Sequence, residues 1–122
     1  MRMRALIKPK LIRISHELEE KLDNFFEEKK DKFGTLSKNQ IFNGLIRQGI
    51  DIFDSDGNEH FEKVVINTSK CSHIYVRVYE DYFNKVYELS QKTKSSQNTI
   101  LNLLINLGIN HYSDKVIKYS IN

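Results

Sequence analysis

Apolar and polar residues alternate strictly in the stretch HIYVRV, residues 73–78. A period of two predicts a β-strand with one buried face and one outward face. The residues predicted to face inward are Ile74, Val76 and Val78, and those predicted to face outward are His73, Tyr75 and Arg77. The rest of the chain contains one shorter copy of this pattern.

The shorter copy is LIRI, residues 11–14. Its two isoleucines take the inward places, and Arg13 takes the outward place that Arg77 holds in the longer copy. Residues 1–9, which precede it, are predicted to form a basic N-terminal arm. The pattern therefore predicts two strands with similar faces.

Two helices are predicted after the first strand. Ser15 is a good N-cap for a helix over 16–31, whose apolar residues recur with helical spacing. Gly34 ends this helix, and Ser37 with Gln40 forms a capping box that opens a second one. The inward residues are Leu18, Leu22, Phe25 and Phe26 in the first helix and Ile41, Phe42, Leu45, Ile46, Gly49 and Ile52 in the second.

Two more helices are predicted after the second strand. The first covers about 80–93, and Ser95–Ser96 precede a last helix that ends near Tyr112. The inward residues of the first are Tyr82, Val86 and Leu89. Between the two halves, the stretch 54–60, DSDGNEH, has the composition of a loop. For residues 61–67 a short strand and a docked segment are both open.

The two halves are an internal repeat. At an offset of 64 the strands and first helices align, and at an offset of 59 residues 36–53 and 95–112 share eight identities. One identical pair is Gly49 and Gly108, which lie inside helices, where glycine is less favourable than alanine by about 1 kcal/mol. Their recurrence predicts a close helix crossing.

One strand–helix–helix unit of about 45 residues is too small to close its own core, and a lone strand leaves backbone groups unpaired. The predicted fold is therefore mostly α with a two-stranded antiparallel β-ribbon, in which two units form an intramolecular pseudo-dimer. The predicted parts are the arm (1–9), unit 1 (10–53), a linker (54–72), unit 2 (73–112) and a C-terminal tail (113–122).

Composition limits the class of protein. The 122 residues are 39% hydrophobic, which suits one modest core, and no run approaches the roughly 18 apolar residues of a membrane span. The N-terminus lacks the apolar stretch of a secretory signal, so we expect a cytoplasmic protein without a membrane partner. A single cysteine, Cys71, excludes an internal disulfide, and no spacing predicts a metal site or a cofactor.

Charge is distributed unevenly, although the net charge is only +3. Residues 1–15 carry five basic residues and no acid, whereas residues 16–31 carry seven acids against three lysines. A fold with one basic side suits a polyanionic partner. No arrangement of serine, histidine or carboxylates predicts acid–base or nucleophilic catalysis, so we expect no enzymatic activity.

An alternating strand with an outward arginine, a helix and a Ser-capped second helix together resemble the ribbon-helix-helix family of DNA-binding proteins. The resemblance covers about 10–53 and 72–112. Two units in one chain is the arrangement of the TraY-type accessory proteins of conjugative plasmid relaxosomes. The resemblance implies a ribbon in the major groove of double-stranded DNA, with outward side chains that read bases and second helices that begin at phosphates.

By this resemblance, the base-reading positions are Leu11, Arg13, His73, Tyr75 and Arg77. The predicted phosphate-binding positions are Lys8, Lys10, Ser37, Lys38, Asn39, Ser96, Gln97 and Asn98. The chemistry agrees, because arginine makes paired hydrogen bonds to guanine and leucine can contact a thymine methyl. Helix N-terminal amides bind phosphate without special side chains. The repeat departs from symmetry at Tyr79, which stands where Ser15 caps the first unit.

Three functions remain open from the residues alone. The first is a relaxosome accessory protein that recognises a transfer origin and helps a relaxase engage it. The second is a plasmid or phage repressor, which would use the same residues. The third is an antitoxin-like module that binds a protein partner and for which DNA is secondary. On DNA we expect either one monomeric pseudo-dimer or several chains side by side.

Overall fold

The computed structural model describes residues 10–56 and 71–121. They form β1 (Lys10–Ser15), α1 (His16–Phe33), α2 (Lys38–Asp56), β2 (Cys71–Val76), α3 (Glu80–Thr93), α4 (Gln97–Asn110) and α5 (Lys115–Ile121). The order β-α-α followed by β-α-α confirms the predicted mostly helical fold of two units. The predicted arm over 1–9, with Lys8, and the segment 61–67 lie outside the described residues.

The two strands pair with each other in antiparallel orientation, as predicted. The Cα partners are Lys10 with Val76, Leu11 with Tyr75, Ile12 with Ile74, Arg13 with His73, Ile14 with Ser72 and Ser15 with Cys71. Each unit therefore supplies the strand that the other unit needs. The result is a two-stranded ribbon formed within one chain, which is the predicted pseudo-dimer.

β2 lies two residues earlier at each end than the predicted strand over 73–78. It begins at Cys71 because β1 extends to Ser15, which is the pairing partner of Cys71. Among the described residues its last paired residue is Val76, the partner of Lys10. The next residue, Arg77, has its backbone N–H and carbonyl hydrogen-bonded to the side chain of Asn39.

The residues predicted to begin and end α1, Ser15 and Gly34, have these roles in the structure. The Ser15 hydroxyl accepts a hydrogen bond from the Leu18 N–H at 3.1 Å. The helix continues two residues past its predicted end because Phe33 is buried in the core. Gly34 then turns the chain with a φ of 56°, a conformation that favours glycine. The inward face of α1 is therefore long enough to cover one side of the domain.

The predicted capping box at the start of α2 is also present. The Gln40 N–H donates to the Ser37 hydroxyl at 3.1 Å, and the Ser37 N–H donates to the Gln40 carboxamide oxygen at 2.8 Å. These two bonds satisfy donors that the first turn of a helix otherwise leaves free. The start of α2 is thereby fixed.

The far end of α2 differs from the prediction. The helix reaches Asp56, so residues 54–56 of the predicted loop are helical. Two contacts account for the extension. The Ser55 hydroxyl donates to the Asp51 carbonyl at 2.9 Å, and Asp54 pairs with Lys85 of α3 at 3.3 Å. The remainder of the predicted loop lies outside the described residues.

The helices of unit 2 agree closely with the prediction. α3 spans its predicted range, and Tyr82, Val86 and Leu89 are buried. α4 begins after Ser96, whose hydroxyl accepts a hydrogen bond from the Thr99 N–H at 3.0 Å. α4 ends two residues before its predicted limit.

α2 and α4 cross at the centre of the domain. A Cβ atom on Gly49 would collide with the carbonyl group of Leu104, and a Cβ atom on Gly108 would collide with that of Leu45. The predicted close crossing is confirmed. The large side chains that are fully buried around it are Ile12, Ile14, Leu45, Ile46, Val76, Val78, Val86, Ile100, Leu103, Leu104, Ile105 and Val116.

The stretch predicted as a tail contains a short helix, α5, which packs on α2. Val116 and Ser120 of α5 are completely buried. A Cβ atom on Gly44 of α2 would collide with the Ser120 hydroxyl, so this approach depends on glycine. The Tyr119 hydroxyl donates to the Asp51 carboxylate at 2.6 Å. α5 is therefore part of the core of the domain.

Among the helices of the described ranges, none combines the length and the apolar character needed to cross a membrane.

Candidate nucleic-acid interface

All five predicted base-reading side chains are exposed, and they lie on the ribbon face opposite the core. Ile12, Ile14 and Val76, which alternate with them, are buried. Leu11 and Tyr75 are 49% and 73% exposed, although large apolar side chains are normally covered. The outward face of the ribbon is thus a surface of mixed donors and apolar groups.

The repeat and the strand register together locate a pseudo-twofold axis. The offset of 64 relates Leu11 to Tyr75, and these two residues are also pairing partners. The axis must therefore pass between them. Arg13 and Arg77, which the same offset relates, lie at opposite ends of the ribbon. Arg77 lies four positions after His73, the partner of Arg13. This separation corresponds to about 13 Å along an extended strand.

The two strands of the ribbon are not chemically equal. Arg13 lies opposite His73, so a guanidinium lies beside an imidazole there. At the axis, Leu11 of β1 is aliphatic, whereas its partner Tyr75 of β2 is a phenol. The described surface of the ribbon is therefore not twofold-symmetric.

The backbone of Arg77 is held by two asparagines of α2. Its N–H donates to Asn39 Oδ1 at 2.8 Å, and Asn39 Nδ2 donates back to its carbonyl at 3.1 Å. Asn43 Nδ2 donates to the same carbonyl at 2.8 Å. Asn43 Oδ1 in turn accepts from the Tyr79 N–H at 2.9 Å. The chain around Arg77 is therefore fixed to unit 1.

The backbone of Arg13 is held in the same way by α4. Its N–H donates to Asn98 Oδ1 at 2.9 Å, and Asn98 Nδ2 donates to its carbonyl at 3.0 Å. Asn102 Nδ2 also donates to that carbonyl, at 2.9 Å. The two sets of contacts differ at one atom, because Asn102 Oδ1 is buried and has no hydrogen-bond partner among the described residues.

These contacts bring the second helices of both units to the ribbon. α2 begins beside Arg77 and α4 begins beside Arg13, so a helix N-terminus lies at each end of the reading face. The first N–H groups of a helix lack intrahelical acceptors, and the helix dipole places partial positive charge there. Two helix N-termini with partial positive charge therefore flank the row of exposed side chains.

The predicted phosphate-binding residues lie at these helix ends. In unit 1, Ser37 and Lys38 are exposed, and the Lys38 ammonium lies 5.5 Å from the centre of the Phe26 ring. Asn39 is half-buried, and because its carboxamide is bonded to Arg77, its backbone N–H is the group left for a phosphate. Lys10 is the first residue of β1.

In unit 2, the corresponding residues are arranged similarly. Ser96 is exposed, and its hydroxyl contacts the Thr99 hydroxyl at 2.9 Å. Gln97 and Asn98 are half-buried. The first position of α4 is a neutral glutamine where α2 has a lysine. The two helix ends therefore differ by one positive charge.

The side-chain contacts of Asn39, Asn43, Asn98 and Asn102 were not predicted from the sequence. Asn39 and Asn98 were considered only as phosphate ligands, and Asn43 and Asn102 were not considered. A signal was present, because these asparagines account for two of the eight identities between the second helices. An asparagine inside a helix is unfavourable unless its carboxamide has a partner, which in both units is a strand of the other unit.

Comparisons of the chain with protein-family models, with curated proteins and with solved structures find no match. Within the described ranges, no group of three or more histidine, cysteine, aspartate or glutamate side chains could hold a metal ion.

Proposed function

We propose that the protein binds double-stranded DNA in a sequence-specific manner, with the ribbon in the major groove. The observation that carries this proposal is the exposed row of Leu11, Arg13, His73, Tyr75 and Arg77 on the face opposite the core. The major groove of B-DNA is about 12 Å wide and admits a two-stranded ribbon. A surface with two arginines, an imidazole and a phenol offers donors that can reach base edges there.

The two helix ends support the same orientation. With the ribbon in the groove, the N-termini of α2 and α4 would face the phosphates on either side of it. Backbone amides and Lys38 would then fix the register of the protein on DNA without reading sequence. Phosphate binding and base reading would thus come from different groups of one surface.

The spacing of the arginines suggests the size of the site. The two residues lie about 13 Å apart along the ribbon, and base pairs rise by about 3.4 Å. Arginine pairs best with the O6 and N7 atoms of guanine. We therefore expect two preferred guanines separated by about four base-pair steps, on a site without twofold symmetry.

For the biological role, we propose an accessory protein of a conjugative relaxosome that recognises the transfer origin. The resemblance to TraY-type proteins motivates this role. A ribbon formed by two unlike strands gives the bound protein a direction on DNA, which suits a site processed on one side only. A plasmid or phage repressor is the alternative with the same residues. An antitoxin-like module is the alternative of another class.

A gel-shift experiment at moderate salt discriminates among these roles. The probes are transfer-origin DNA, the DNA upstream of the protein's own operon, and random DNA of equal length. We expect preference for the origin. Preference for the upstream DNA alone would favour the repressor. Equal binding to all three probes would overturn sequence-specific recognition and favour the antitoxin-like module.

Substitution of one arginine tests the assignment of base reading. Arg77→Ala should weaken specific binding by about 1–3 kcal/mol and leave binding to random DNA nearly unchanged. Titrations of origin and random DNA with both proteins measure the two losses. An equal loss on both probes would remove Arg77 from the reading set.

Lys38→Ala should have a different effect. It should lower affinity for all sequences alike and reduce the slope of log affinity against log salt by about one, because one phosphate neutralisation is lost. Gln97→Ala, at the equivalent position of α4, is the matched control and should leave the slope unchanged. A sequence-dependent loss with Lys38→Ala would contradict a phosphate contact.

The asymmetry of the site can be tested separately. Sequences selected by the wild-type protein should lack a dyad, and Arg13→Ala and Arg77→Ala should relax preference at different positions. If each substitution instead relaxes two symmetry-related positions, the bound form pairs like strands from two chains, and the single-chain ribbon is not the reading surface.

A further inference from the structure

We infer that Asn39 is the positioning residue that fixes Arg77 for base reading, so that a helix of unit 1 controls how the arginine of unit 2 reads DNA. This inference depends on the proposed DNA binding. It gives Asn39 a role in specificity, which differs from the phosphate contact expected from the sequence. The hydrogen bonds between the Asn39 carboxamide and the backbone of Arg77 carry it.

The backbone of Arg77 is bonded to side chains of α2. In the described part of the chain, the last paired residue of β2 is Val76, the partner of Lys10. The Arg77 N–H is bonded to Asn39, and its carbonyl is bonded to Asn39 and Asn43. The backbone that carries this guanidinium is therefore held by side chains of a helix.

Arg13 is held by the equivalent contacts. Its N–H and carbonyl are bonded to Asn98, and its carbonyl is also bonded to Asn102. Each arginine is thus held by a helix of the other unit, so Asn98 should act on Arg13 as Asn39 acts on Arg77.

The geometry of guanine recognition makes backbone position important. A guanidinium must present two parallel N–H groups to O6 and N7, and a small tilt of the arginine breaks one of the two bonds. Asn39 lies in the first turn of α2, whose start is fixed by the Ser37–Gln40 capping box. One rigid link therefore joins the helix end that would contact phosphate to the arginine that would read the base.

The first test compares Asn39→Ala with its matched control, Asn98→Ala. Asn39→Ala should reduce discrimination at the base pair read by Arg77 about tenfold, which is within the range for a lost bidentate contact. The base pair read by Arg13 should be unaffected by Asn39→Ala, whereas Asn98→Ala should give the reverse pattern, a loss at the base pair read by Arg13 alone. A loss spread over both base pairs with Asn39→Ala would overturn the inference.

A double-mutant cycle shows whether Asn39 acts through Arg77. In the Arg77→Ala background, Asn39→Ala should cause no further loss of discrimination. In the Arg13→Ala background, its effect should be undiminished, because the two sites are independent. A merely structural role would give the same loss in both backgrounds, and that result would overturn the inference.

Hydrogen exchange of the free protein gives a readout that does not require DNA. The Arg77 amide should exchange slowly in the wild type and at least about tenfold faster in Asn39→Ala, whereas amides of the α2–α4 crossing should be unchanged. Unchanged exchange at Arg77 would overturn the inference while leaving the proposed function intact. A wild-type protein that cannot distinguish origin from random DNA would overturn both.

Discussion

Units 1 and 2 have the same layout but differ in what covers their second helices. Gly44 of α2 corresponds to Leu103 of α4 at the offset of 59. Because Gly44 has no side chain, the backbone of α5 can approach α2 at that point. Leu103 is itself a fully buried core side chain. α2 therefore carries the docked helix α5, whereas α4 has the buried side chain of Leu103 at the equivalent position.

Several residues common to both units touch the other unit. Gly49 and Gly108 contact the opposite helix in the crossing, and the paired asparagines hold the backbone of Arg77 and Arg13. A pseudo-dimer needs these contacts twice, once on each side of the axis.

The helix that follows each strand also differs between the units. Ser15 caps α1 through its hydroxyl, whereas Tyr79 provides no side-chain cap for α3. The Tyr79 ring is instead buried, 5.5 Å from the ring of Tyr82, and its N–H is bonded to Asn43. Unit 2 thus has core packing where unit 1 has a polar cap, and the ends of the ribbon need not behave alike.

The largest effect should come from charge on the shared inner face of the ribbon. Ile12→Asp and Val76→Asp each place an unpaired carboxylate at a position that is 1% exposed or less, and either should unfold the domain at room temperature. Circular dichroism on heating measures this. Tyr75→Asp, on the outer face, is the control and should fold. Melting of either buried variant at the wild-type temperature would mean that the strand faces are reversed.

A smaller effect should separate the shared glycines from the unshared one. Gly49→Ala and Gly108→Ala force a methyl group against backbone of the opposite helix, and each should destabilise the whole domain by about 2–3 kcal/mol. Gly44→Ala should affect mainly α5, by about 1–2 kcal/mol. Urea unfolding gives the total loss, and hydrogen exchange of 115–121 gives the local one. If Gly44→Ala accelerated hydrogen exchange equally in the ribbon and in α5, its effect would not be local to α5, and the expectation would be wrong.

Local and periodic features were readable from the sequence. The strand faces follow from a period of two, the caps at Ser15, Ser37 and Ser96 from residue chemistry, and the helix crossing from glycines repeated within helices. Each of these depends on residues close in sequence or on the repeat itself. For the same reason the pairing of β1 with β2 could be inferred, since each strand had one available partner.

Features that depend on tertiary contacts were missed or displaced. α5 has only seven residues, and a helix this short forms only when it is docked. Its docking site, Gly44, is an ordinary glycine in the sequence. The contact between Asn39 and the backbone of Arg77, which joins residues 38 positions apart, was also missed. The candidate site was thus predictable as a set of exposed residues, but the way it is held was not.

The smallest effect concerns the polar contact that helps to hold α5 on unit 1. The Tyr119 hydroxyl donates to Asp51, whose carboxylate also pairs with Arg47 at 3.2 Å. The hydrogen bond to Asp51, followed by burial and the Asp51 charge, raises the pKa of Tyr119 above its ordinary value of about 10. The folded state therefore favours the neutral phenol.

The sign of the pH dependence follows from that shift. Stabilisation by the neutral Tyr119 is complete below pH 10 and is lost as the pH rises through the folded-state pKa of Tyr119. Tyr119→Phe should therefore be less stable than the wild type by about 1 kcal/mol at neutral pH, and the difference should vanish in strongly alkaline solution. Tyr112, whose pKa is also raised, by burial and by Asp114, is present in both proteins and cancels. Unfolding free energies across pH 7–12 measure the difference, and Tyr87→Phe, at an exposed position of α3, should follow the wild type throughout. Equal stability of wild type and Tyr119→Phe at neutral pH would mean that ring packing holds α5, and that the hydroxyl contributes nothing.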